Sequence, residues 1–447
     1  MKKIFTIALI LCGTSTALAQ LTSIPDPNFE QALIDLGYDD VIDGFVATTN
    51  IENVTSLNVD NLNINDLTGI EDFSSLEVLS CSFNNLSSLN VTQNGQLLSI
   101  DCHYNELTTL DVSLNTQLRG LNCWHNELTA LDVSFNLELV DLNCWNNNLT
   151  ILDVSNNLNL ITLHCAQNQI TSLDVTQNSQ LGSLTCYVNQ ISVLDLTQNS
   201  QLMELKASLN NISELDLSQN PLLSYIQIDN NSLTSLDLSS NPDLMVLTCS
   251  QNQLTNLNLD GVTMLYEMFC SYNNLTQLDI SQNADLVHIT CNDNQLECLN
   301  VKNGNNINFS DPFGKNGGFV ATNNPNLSCI EVDDMIWSAA HWSYIDPSAS
   351  FSNFCDNECS TLGIADNFFS QVAVYPNPTE GSVTIDLGSR GLDLKTSLLN
   401  NMGQVIHTYE TVSSEEFIVN INEPTGLYFL RLADSNGNSQ TIKIIRK

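Results

Sequence analysis

The chain has 447 residues, of which 50 are acidic and 12 basic, for a net charge of −38. That length allows two or three domains. Between Gln20 and Ser360 the basic residues are Arg119, Lys206, Lys302 and Lys315, so the acidic field belongs to the long N-terminal part. Nucleic acid is excluded as a partner, because phosphate binding needs clustered Lys and Arg. Anionic membrane surfaces are excluded on the same ground.

Residues 1–19 have the pattern of a secretory signal: Lys2 and Lys3, an apolar stretch from Ile4 to Leu11, and Ala17-Leu18-Ala19 as cleavage site. A lipoprotein signal built on Cys12 is the competing form, but Leu11 stands where that motif takes a small residue. No other stretch has about 18 uninterrupted apolar residues, so no transmembrane segment is predicted and the mature chain is expected outside the cell. Residues 20–75 are expected to form an N-terminal cap and a first atypical repeat. Pro27 to Leu36 predicts a short amphipathic helix stopped by Gly37. Asp39, Asp43 and Gly44 partly match a calcium loop, although Val41 replaces a carboxylate. Leu57, Val59, Ile64 and Leu67 precede Leu79, Cys81, Leu86 and Leu89 by 22 positions.

From residue 76 to 311 a period of 21 governs the chain. Cys81, Cys102, Cys123, Cys144, Cys165 and Cys186 give way to Ala207 and Ile228, then resume at Cys249, Cys270 and Cys291. Three positions after each, from Asn84 to Asn294, the residue is always Asn. One unit runs Leu118-x-x-Leu121-x-Cys123-x-x-Asn126-x-Leu128-x-x-Leu131-Asp132-Val133-x-x-Asn136, with the Leu and Asn spacing nested twice. Alternation points Leu121, Cys123, Leu131 and Val133 inward and Asn122 and Asp132 outward. Two parallel strand ladders around one narrow apolar core are therefore expected, with the Asn amides satisfying peptide groups inside the turns. The cysteines serve as small apolar core residues. Val262, preceded by Gly261, replaces one Asn of the second column.

This pattern, from Leu76 to Val301, resembles the bacterial class of leucine-rich repeats with a nested 21-residue unit. The resemblance implies a mainly β solenoid with short parallel strands on two sides of each coil, a helical N-terminal cap and a surface suited to binding.

The register fails after Val301, where Pro312 takes the next Cys slot, and residues 312–360 are expected to cap the stack. Leu327 to Val332 echoes Leu296 to Val301, and Trp337, Trp342, Phe351 and Phe354 supply a bulky plug. Cys298, Cys329, Cys355 and Cys359 lie outside the ladder and fit disulfides, with three possible connectivities. Their slots on adjacent coils favour Cys298–Cys329 and Cys355–Cys359; a zinc site is the alternative.

Residues 361–447 lose the period and show short strands separated by Gly and Pro, at Val383–Leu387, Ser397–Leu399, Phe417–Ile421, Leu427–Leu432 and Thr441–Ile445. A small β-sandwich is expected. Tyr375-Pro376-Asn377-Pro378-Thr379-Glu380-Gly381, Gly426-Leu427-Tyr428 and the basic end Lys443 to Lys447 are together similar to the type A sorting domain of the type IX secretion system. That similarity implies passage across the outer membrane of a Gram-negative, Bacteroidota-like cell, with the secretion machinery as partner.

No nucleophile elbow, zinc-binding helix, phosphate loop or dinucleotide fingerprint occurs. The expectation is a protein that is no enzyme and carries no cofactor. What remains is the outward surface. His103, Trp124, Trp145 and Tyr187 follow the ladder cysteines, and Tyr104 and His125 come next in their coils, as aromatic candidates for a protein or glycan ligand. Alternatively these rings only pack on each other. The row Asp111, Asp132, Asp153, Asp174, Asp195, Asp216 and Asp237 is offset either by nearby Ser/Thr and amides or by bound cations. A passive surface or matrix component, with calcium on that row, is the second functional expectation.

Overall fold

The computed structural model describes residues 20–309, 318–355, 359, 373–376, 378–386, 392–400, 405–414, 416–433 and 439–447. The expected signal segment, Pro312, Lys315 and Asn377 lie outside the described residues. Two compact units divide the chain, one ending at Cys359 and the other beginning at Ser360.

In the first unit a three-residue strand recurs once per coil, as at Gly120–Asn122 and Asp141–Asn143, and 12 of them, with the two-residue Phe319–Val320, form one parallel sheet of 13 strands that starts at Ser56–Asn58. Registry follows the period, with Leu121 opposite Leu142 and Leu142 opposite Leu163. The first pair carries the 22-residue offset, Leu57 opposite Leu79. Every ladder cysteine is fully buried among Leu, Val and Ile in one continuous core.

The second expected ladder forms only in part. Ser235–Asp237 pairs with Asn256–Asn258, and Gln277–Asp279, Cys298–Asn300, Cys329–Glu331 and Ser350–Ser352 make a parallel sheet of four. In the earlier coils a single bridge, Asn90 with Asp111, stands in its place among the described residues. Leu131 and Val133 are buried and Asp132 exposed as expected. Burial therefore follows the alternation there while strand pairing does not.

A helix covers Pro27–Asp35, its first turn held by the Asp26 carboxylate, which accepts from the Asn28 and Phe29 N–H groups. Phe29, Ala32 and Leu33 join the solenoid's apolar cluster. Buried Glu30 accepts N–H bonds from Asp43, Gly44 and Phe45, so these loop amides face a carboxylate rather than their oxygens facing a cation. At the other end the stack continues beyond the insertion. Phe319–Val320 pairs with the strand at His288–Thr290, Ala321 fills the Cys slot, and Asn324 takes its place in the first Asn column, bonding the Cys291 carbonyl and the Leu296 N–H. Trp342 is buried against Phe309, Phe319, Trp337 and Phe351. Phe354 is 73% exposed and takes no part in that plug.

The cysteine pairing differs from expectation: Cys298 bonds Cys359, and Cys329 bonds Cys355. Cys298 and Cys329 do occupy neighbouring strands, as the echo suggested, but each is tied to the segment that follows the last coil rather than to the other.

The second unit contains a three-stranded and a four-stranded antiparallel sheet. Val383, Ile385 and Val419 from one share a core with Leu398, Leu430, Leu432 and Ile444 from the other. Ala373–Tyr375 and Val405–Ser414 are strands the sequence pattern did not reveal.

Candidate functional site

The geometry of one turn sets the surface. After each strand-side cysteine the chain passes two residues and reaches the Asn; the residue just before that Asn is left-handed in coil after coil. Phe83, Tyr104, His125 and Asn146 have φ of 53°, 51°, 54° and 53°. Such a conformation costs a non-Gly residue roughly 1–2 kcal/mol. The Asn amide offsets it. Asn126 donates to the carbonyls of Cys123, Trp124 and, one coil back, Cys102, and its Oδ1 accepts from the Leu107 N–H at 3.0 Å. With its amide so held, the turn throws two side chains per coil outward.

Where those side chains are aromatic they stack with the period of the solenoid. His103, Trp124 and Trp145 form one column, with ring centroids 4.9 Å apart at both steps and interplanar angles of 7° and 24°. Beside it Phe83 lies on Tyr104 at 4.7 Å, and Tyr104 meets His125 at 3.9 Å. Edge contacts join the columns, Tyr104 to Trp124 at 4.5 Å and Phe83 to His103 at 4.8 Å. Phe83 and His125 are exposed, and His103, Tyr104, Trp124 and Trp145 are half-buried. The structure thus brings five of the six expected ring residues together. Tyr187 is two coils beyond Trp145, with buried Ala166 between, and makes no ring contact among the described residues.

Beneath the rings lie polar partners, Asp101 and Asn122, outward residues of the strands. His103 Nδ1 is 2.5 Å from Asp101 Oδ1, and Asn122 Nδ2 donates to the same carboxylate oxygen at 3.2 Å. His125 Nδ1 meets the amide of Asn146. Trp145 Nε1 and Asn122 Oδ1 are buried without a hydrogen-bond partner. Each such group costs on the order of 1–3 kcal/mol.

The other outward row is spent on local turns. The Ser134 hydroxyl, with the Ser134 N–H at 2.9 Å, holds the Asp132 carboxyl below the usual range, and the N–H and hydroxyl of Thr176 do the same for Asp174. Among the described residues no group of three or more His, Cys, Asp or Glu converges as a metal site would require. Burial pushes the ladder thiols up, Cys102, Cys144, Cys186 and Cys291 to about 12, which keeps them protonated and unreactive.

In the second unit Thr379 bridges Arg446, with its N–H donating to the Ile445 carbonyl and its own carbonyl accepting from Lys447. The segment holding Tyr375, Pro376, Pro378 and Gly381 therefore lies against the basic terminal strand, with which Gly426, Leu427 and Tyr428 also pair, so all three sorting motifs are neighbours in space.

Comparison with known proteins agrees with both units. Residues 373–447 match the secretion system C-terminal sorting domain. Among solved structures the chain is similar to the functional domain of InlJ from Listeria monocytogenes, which includes a cysteine ladder, at 27% identity and a TM-score of 0.61, over 96% of this chain and 99% of that one. A leucine-rich-repeat protein of Leptospira interrogans is 27% identical with a TM-score of 0.51, over 55% of this chain and 68% of that one. The internalin InlF of Listeria monocytogenes shares the fold at 21% identity and a TM-score of 0.59, over 75% of this chain and 96% of that one. No curated protein matches by sequence. The molecule is a leucine-rich-repeat solenoid followed by a sorting domain. It is a secreted protein of the type IX route, and among the described residues no helix is long and apolar enough to cross a membrane.

Proposed function

We propose that the exported solenoid is a recognition protein at the surface of a Bacteroidota-like cell, binding a protein or glycan ligand over the paired aromatic columns. The carrying observation is that six rings on four successive coils make one continuous, partly exposed patch. Stacked rings present a rigid face at small entropic cost, which suits both a sugar ring and an apolar protein anchor. The relatives in the fold are internalins and other leucine-rich-repeat proteins, and they give no support to catalysis.

The test is a glycan and surface-protein array probed with the mature chain and with Trp124→Ala/Trp145→Ala. Capture should fall by more than about a hundredfold, as for a hot-spot pair, while the melting temperature drops only by what two lost stacking contacts cost. Undiminished capture by the variant would overturn the assignment.

A further inference from the structure

On the opposite flank of the same sheet stands a second apolar surface, built from the residue two positions before each strand-side Leu. Its N–H groups pair coil to coil: Ile161 donates to the Val140 carbonyl at 2.8 Å, Met203 to Gly182 at 2.8 Å, Tyr266 to Met245 at 2.7 Å and Val287 to Tyr266 at 3.0 Å. The side chains consequently form one column from Val140 to Val287. Ile161 is 48% exposed, Met203 54%, Met245 47% and Tyr266 48%. Gly182 is the floor between Ile161 and Met203; a Cβ there would lie 3.8 Å from Ile161 Cγ2 and 3.6 Å from Met203 Cε, so the two side chains close over it. Exposed Leu158 widens the Val140–Ile161 end of the column into a groove of about 550 Å³, whose far end is lined by Arg119. An apolar strip interrupted only by Gly182 and Ser224, and rimmed by polar residues, is unusual on a soluble surface unless something covers it.

The rim says what. Glu138, Asp141, Asp243, Glu267 and Asp285 flank the column, and none is in an ion pair among the described residues. Residues 20–360 hold 41 acidic and four basic residues, so a second copy would bring the same repelling field, and an anionic bilayer likewise. We propose that this flank docks a cationic amphipathic segment of a partner protein, its apolar face on the Ile161–Met203–Met245 column and its Lys or Arg residues against the carboxylate rim. The column spans eight coils, about 34 Å at the strand spacing, which matches a helix of about 22 residues.

The experiment titrates the mature chain into a fluorescent Leu/Lys peptide of about 22 residues with one apolar and one basic face, following anisotropy. Binding is expected, and Ile161→Asp/Met203→Asp should weaken it by more than about tenfold without changing the melting temperature, since both side chains are exposed. Trp124→Ala/Trp145→Ala should bind the peptide as the unaltered chain does; loss there would place the peptide on the aromatic face and overturn the assignment. No binding, equal binding of a scrambled peptide of the same composition, or undiminished binding by the Asp variant would also overturn it. So would a dimer of the unliganded chain, seen in sedimentation, that the Asp variant dissolves.

Discussion

The two sides of each coil carry the same Leu and Asn spacing and use it differently. On the strand side Asn126 employs both ends of its amide, three carbonyls accepting from Nδ2 and one N–H donating to Oδ1. On the other side Asn136 donates to the Val112 and Asn115 carbonyls at 3.0 and 2.9 Å, but its Oδ1 has no partner, and the same holds for Asn94, Asn115, Asn157, Asn178, Asn199, Asn220 and Asn241. The strand side is paired backbone to backbone coil to coil throughout; on the other side the early coils are joined by the Asn side chains and one bridge, each turn closed by its Asp, and strands pair only in the later coils. Side-chain periodicity decides which residues are buried. Backbone pairing needs more than that.

The largest effect expected from this contrast is the cost of losing one amide. Asn126→Leu leaves the Leu107 N–H unpaired and removes three further hydrogen bonds, whose carbonyls keep those from Asn147, Tyr104 and Asn105, and should destabilise by more than about 3 kcal/mol in urea unfolding. Asn136→Leu removes two hydrogen bonds from carbonyls that keep the Asn115 and Leu118 N–H groups, strands nothing and removes an unpaired oxygen, so about 1–3 kcal/mol is expected. Equal losses would show that the two sides are alike after all. Next comes the C-terminal end, where reduction of Cys298–Cys359 and Cys329–Cys355 should cost about 2–4 kcal/mol. Peptide mapping of the oxidised chain should recover those two pairs; a Cys298–Cys329 peptide would contradict the structure.

A smaller effect distinguishes packing from polarity at the Cys slots. Cys123→Ser buries an unpaired hydroxyl and should cost about 1–3 kcal/mol. Cys123→Ala should cost less than the serine variant, because Ala207 and Ala321 already fill equivalent buried slots. These thiols also set an alkaline limit. Their folded pKa is raised above the ordinary 9.0, to about 12 for Cys102 and Cys144, so unfolded chains release protons first. Their contribution is intact below pH 9 and is lost progressively up to about 12, and the urea midpoint should fall over that window. Smallest of all is Asp132→Asn on the exposed row, at under about 0.5 kcal/mol, because the amide oxygen can still accept from Ser134.

Much of this was legible in the primary structure. A strict period, one Asn per coil and alternating Leu positions determine burial, and burial determines the solenoid. The aromatic patch was legible too, as outward residues on adjacent coils. Three features were not. Although Leu327 to Val332 marks a last coil after an insertion, its Cys slot and Asn column, Ala321 and Asn324, are hidden because the insertion shifts their spacing from 21 to 30 residues. The cysteine pairing depends on where the segment after the last coil returns, which no local pattern records. The rings' polar partners, Asp101 and Asn122, are ordinary strand residues whose role appears only when the side chains above them lean back over the sheet.

Thiol labelling of the folded, mature chain tests the central claim most directly. At pH 8 without denaturant, none of the nine ladder cysteines should react with iodoacetamide, and all nine should react in concentrated urea. Modification of Cys123 or its neighbours in the native protein would mean that the periodic positions face solvent, and that the outward rows assigned here to partners are not the outer surface.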